Sequence, residues 1–60
     1  MRRVIVIEYS GGVRTEFESI TEKMDGNSLF KHVDEGVQKY TERYNLYIYQ
    51  VTVTVKFLYL

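Results

Sequence analysis

Val4-Ile5-Val6-Ile7-Glu8-Tyr9-Ser10-Gly11-Gly12 sets the frame for the rest of the chain. The β-branched and aromatic residues through Tyr9 suit a pleated strand, and Ser10-Gly11-Gly12 supplies the backbone freedom of a tight turn. A second alternating run follows and ends at Ile20, so the two runs read as a hairpin. A three-residue loop with Tyr9 opposite Val13 sets Ile7 against Thr15 and Ile5 against Phe17, with Glu8 against Arg14 on the other face. A two-residue Gly11-Gly12 loop instead sets Ile5, Ile7 and Tyr9 against Glu18, Glu16 and Arg14. The first register is preferred because like faces meet.

The segment Thr21 to Ser28 has turn chemistry, and Asn27 or Ser28 is suited to cap a helix. Leu29, Phe30, Val33, Val37, Tyr40 and Tyr44 then recur at helical spacing and form one apolar stripe. Lys31, Glu35 and Lys39, four apart, lie on the charged side. Gly36 in the helix interior costs about 1 kcal/mol relative to Ala. It marks either close packing or local weakness. Asn45 closes the helix.

From Leu46 to Leu60 the residues alternate without a break, which predicts one long strand. Tyr47, Tyr49, Val51, Val53, Val55, Phe57 and Tyr59 share one face, and Leu46, Ile48, Gln50, Thr52, Thr54, Lys56, Leu58 and Leu60 the other. The expectation is a single α+β domain over residues 1–60 with element order β-β-α-β. Its antiparallel sheet has the order 2-1-3, with one helix on the front face. The third strand would have about twice the residues its neighbour can pair, leaving half of it as an open edge. That overhang predicts a homodimer through the C-terminal strand, with Val51, Val53, Val55, Phe57 and Tyr59 in the interface.

Sixty residues without Cys exclude disulfide stapling and a Cys-rich zinc site, which adds weight to oligomerisation as the source of stability. Eight Lys plus Arg against eight Asp plus Glu leave no basic or acidic excess to recruit nucleic acid or a basic surface. The apolar run after Arg2 and Arg3 stops at Glu8, short of a signal-peptide core, and the C-terminal run is too polar and short to span a bilayer. A cytoplasmic protein, of a cell or of an infected host cell, is expected, without a membrane partner.

Catalytic and metal chemistry find little support. His32 is the only histidine, reads as exposed on the helix, and has neither a Cys nor a Gly-x-Ser-x-Gly elbow to work with. Glu16 and Glu18 share a strand face, where alternate acids on the outside of an edge strand suppress aggregation. Asp25-Gly26-Asn27 lacks the other ligands of a calcium loop, and Gly11-Gly12 joins two strands rather than cradling phosphate. No enzyme, cofactor or metal is therefore expected.

Binding is the remaining class. Val4 and Val6, with Leu46, Ile48, Leu58 or Leu60 on the same back face, make an apolar patch without a helix to cover it. The β-β-α-β order resembles that of small phage inhibitors of bacterial RNA polymerase, which implies a small regulator carried by a phage or mobile element and acting on a host enzyme. An antagonist of a defence nuclease is a version of the same idea. The expected function is a small homodimeric inhibitor or regulator that contacts another protein through Glu16, Glu18, Val4, Val6 and Ile48. The alternative is nucleic-acid binding through Arg2, Arg3, Arg14, Lys56 and exposed tyrosines.

Overall fold

The computed structural model describes residues 2–12 and 14–60. Strand β1 (Arg3–Ser10) is followed by β2 (Thr15–Ile20), helix α1 (Gly26–Tyr44), a 3-10 turn at Ile48–Gln50, and β3 (Thr52–Tyr59). The three strands form an antiparallel sheet in the order β2-β1-β3, as the sequence predicts, and α1 lies over one face. The Cα extents of 38 × 21 × 15 Å leave room in the thinnest direction for one sheet and one helix layer, so among the described residues the back of the sheet carries no second layer.

The hairpin register differs from both expectations. Tyr9 pairs with Glu16, Ile7 with Glu18 and Ile5 with Ile20, so the loop spans residues 11–14; Val13, the expected partner of Tyr9, lies outside the described residues. The longer loop lets Ile20 meet Ile5 and sink into the core, whereas the expected pairing buries Phe17. Glu16 and Glu18 consequently turn toward the helix, and Phe17 moves to the back face at 68% exposure.

Helix α1 is capped by Asp25 rather than by Asn27 or Ser28, because the Asp25 carboxylate accepts the Ser28 N–H at 2.8 Å. That bond holds the Asp25 carboxyl below its ordinary value. The helix ends as predicted at Asn45, whose φ of 55° turns the chain while the Leu46 N–H bonds the Thr41 carbonyl. Ile5, Ile7, Tyr9, Ile20 and Tyr40 form the buried core. Leu29, Val33, Val37 and Tyr44 pack around it, but Phe30 leaves the expected stripe and is 76% exposed. Gly36 marks close packing: a Cβ there would overlap the Tyr9 hydroxyl and lie 2.6 Å from Tyr9 Cζ.

The C-terminal alternation is only in part a strand. Leu46 packs beneath the helix end, so close to Gly11 that a Cβ on that glycine would lie 2.6 Å from Leu46 Cδ1. Gln50 then closes a 3-10 turn, its N–H bonding the Tyr47 carbonyl and its side chain accepting the Tyr47 N–H. β3 is thus as long as β1 and pairs along its whole length, from Thr52 opposite Ser10 to Tyr59 opposite Arg3. The expected overhang is absent. Ile48 sits in the exposed turn and not on the back of the sheet.

Candidate functional site

The helix meets the sheet differently on its two sides. Toward β2 the contacts are polar. Glu16 accepts hydrogen bonds from the Tyr44 hydroxyl and from Arg43, and these, the Tyr44 bond first, hold its carboxyl below the usual glutamate range. Tyr44 is raised in turn, chiefly by its bond to Glu16. Glu18 Oε2 lies 2.8 Å from His32 Nε2, and Glu18 Oε1 lies 3.5 Å from the Tyr9 hydroxyl. Burial, with Glu18 nearby, pushes Tyr9 up to about 12. His32 is therefore a half-buried hydrogen-bond partner of Glu18 rather than the expected exposed residue.

Both acids expected to offer an outward contact surface are engaged within the chain. Their sequence gives a usable signal: Ile20, two residues beyond Glu18 on the same face, has to be buried, and this brings the acids to the helix side. No sequence pattern pairs Arg43 and Tyr44 with Glu16, because the helix-to-strand distance is a tertiary quantity. A Glu–His pair with a tyrosine resembles part of a proton relay, and among the described residues no Ser, Thr or Cys lines the recess beside Glu18 and His32. No group of three or more His, Cys, Asp or Glu side chains suited to a metal ion occurs among the described residues.

Toward β3 the contacts are apolar and open. Gly26, Leu29, Phe30, Val33, Val55 and Phe57 line a recess of about 330 Å³ between the start of the helix and the sheet edge. Phe57 is 48% exposed, and the Arg3 guanidinium lies 5.9 Å from its ring centre. The expected interface residues Val53, Val55, Phe57 and Tyr59 lie on this helix-facing side of β3, whereas Val51 precedes the strand and bonds back to Ile48.

The outer edge of β3 has a defined polarity. Arg2 and Leu60 exchange both backbone hydrogen bonds, at 2.8 and 2.7 Å. By antiparallel alternation the even-numbered residues of β3 bond to β1, and Val53, Val55, Phe57 and Tyr59 direct their N–H and C=O groups away from it. Among the described residues no strand lies on that side.

The back face carries Val4 and Val6 between Phe17 of β2 and Leu58 of β3, the latter 43% exposed, with Glu8 and Lys56 beside them. The alternative basic set is not brought together. Arg2 and Arg3 line a recess with Thr21, Glu22 and Lys23, and Arg14 follows the far end of β1, roughly 25 Å along the strand. Tyr40 donates to the Arg14 carbonyl there. Tyr47 and Tyr49 stack in parallel, 5.6 Å apart, and are exposed, outside β3 and away from the face that the alternation has them share with Val53, Val55 and Phe57.

No helix among the described residues is long and apolar enough to cross a membrane. Comparison with family models, curated proteins and solved structures finds no match for this chain.

Proposed function

We propose that the chain is a small, non-enzymatic, homodimeric binding module that regulates another protein, with inhibition of a cytoplasmic enzyme as the simplest outcome. The observation that carries this reading is the uncovered apolar back face, Val4, Val6, Phe17 and Leu58, on a sheet whose other face is already occupied by the helix. The open, apolar edge of β3 supplies the self-association, now without the overhang from which the sequence argued it. The partner surface is therefore expected to be apolar and to meet the Val4–Val6 centre. Glu16 and Glu18 drop out of the contact set because Arg43, Tyr44 and His32 already take their carboxylates.

The test compares capture from the source cell by the wild-type chain, by Val6→Asp and by Arg2→Ala/Arg3→Ala, at two salt concentrations. A stoichiometric protein that survives the higher salt, is lost with Val6→Asp and is kept by the arginine variant supports the reading. Recovery of nucleic acid that falls steeply with salt and vanishes with the arginine variant overturns it.

A further inference from the structure

The edge of β3 determines how two copies would join, and resting on the dimeric reading above, we propose that they pair antiparallel through β3 with the two-fold axis at Val55. The occupant of the edge and of the recess beside it is a second copy of this chain.

Three features select the second copy. The outward N–H and C=O groups belong to Val53, Val55, Phe57 and Tyr59, and the side chains of the same residues face the helix side. A strand added at this edge thus extends the sheet and brings its own helix-side residues against the open recess formed by Leu29, Phe30, Val33, Val55 and Phe57. The formal net charge is zero, so two copies approach without bulk repulsion.

Register follows from the pleat and from one charge. A two-fold axis normal to the sheet keeps each face on its own side, so odd-numbered residues oppose odd ones and the axis passes through a residue position. Two registers pair Thr52–Tyr59 nearly end to end, one centred on Val55 and one on Lys56. The Lys56-centred register places Lys56 directly against the partner's Lys56 in a close, non-hydrogen-bonded pair. With the axis at Val55, Lys56 faces the partner's Thr54, Val53 faces the partner's Phe57, and Thr52 faces the partner's Leu58. Apolar residues then meet on the helix side and no like charges oppose. Lys56, which blunts the edge against arbitrary strands, also selects between the two ways of pairing with itself.

The chain has no cysteine, so introduced pairs report register directly. Thr52→Cys mixed with Leu58→Cys brings thiols together only in the Val55-centred dimer, and Thr54→Cys mixed with Leu58→Cys only in the Lys56-centred one. Both are non-hydrogen-bonded pairs, with Cα atoms about 4.5 Å apart, within disulfide reach. Lys56 stays intact throughout. The wild-type mass by light scattering and the masses of the reduced variants are measured first. A dimer in which the first mixture cross-links about fivefold more than the second is expected, the factor set by opposed like charges. A dimer with the second mixture dominant, or with neither linked, overturns the register alone. A monomeric wild type overturns the dimeric reading with it.

Discussion

Helix α1 closes against β2 with charge and hydroxyl groups and leaves its β3 side apolar and uncovered. On the β2 side Glu16, Glu18, His32, Arg43 and Tyr44 satisfy one another within the chain. On the β3 side Phe30 and Phe57 border an open recess, next to backbone groups that have no partner among the described residues. Polar closure suits an edge that has to remain a boundary, since carboxylates tied to the helix there leave no apolar groove for a further strand; apolar openness suits an edge that receives one. Under the proposed dimer, the contrast gives each edge of a three-stranded sheet a separate role.

The largest expected effect comes from placing a charge at the receptive edge. Val55→Lys should weaken the dimer by about 3 kcal/mol, roughly 100-fold in dissociation constant, as two apolar side chains leave the interface and two lysines meet at the axis. Sedimentation against concentration reads this, and an unchanged dimer would refute the assigned role of the β3 edge.

Gly36→Ala tests the closed side. The gain in helix propensity is outweighed by collision with the Tyr9 ring, and a loss of about 2 kcal/mol is expected in chemical denaturation, with the dimer retained. Adding Tyr9→Phe should restore part of that loss, because the hydroxyl is the atom a Cβ would overlap. A stabilised Gly36→Ala would mean that the helix stands further from β1.

Acid and alkali sharpen the same contrast. Glu16 is held below its ordinary 4.5, so its contribution is present above that value and is lost as pH falls through the lowered one. Tyr9 is raised to about 12, so stability should also decline as pH rises from its ordinary 10.0 toward 12. Thermal melts of wild type and Glu16→Gln check the acid limb, which should be shallower in the variant. Equal slopes would remove Glu16 from the account.

The smallest effect is in register. Lys56→Thr removes the like-charge penalty and should raise the Thr54→Cys/Leu58→Cys product about two- to fivefold, without changing the mass of the dimer. A product unchanged by Lys56→Thr would show that side-chain packing alone selects the register.

The apolar periods of residues 4–9, 13–20, 29–44 and 46–60 were enough to give the element order, the sheet order and the helix end at Asn45, though not the start of the last strand, because each follows from local chemistry and from short connections. The hairpin register escaped that reasoning: Ser10-Gly11-Gly12 permits several loop lengths, and only the burial of Ile20 against Ile5 chooses among them. From that choice came the inward turn of Glu16 and Glu18, and with it the polar site. The alternation from Leu46 to Val51 satisfied a strand pattern too, but there Leu46 packs against the core beside Gly11 and the chain closes a 3-10 turn held by Tyr47 and Gln50. Periodicity records which residues are able to share a face, and it determined the elements here. Which face is covered, and which edge stays open, was decided by contacts between residues far apart in the chain, whose geometry no local pattern encodes.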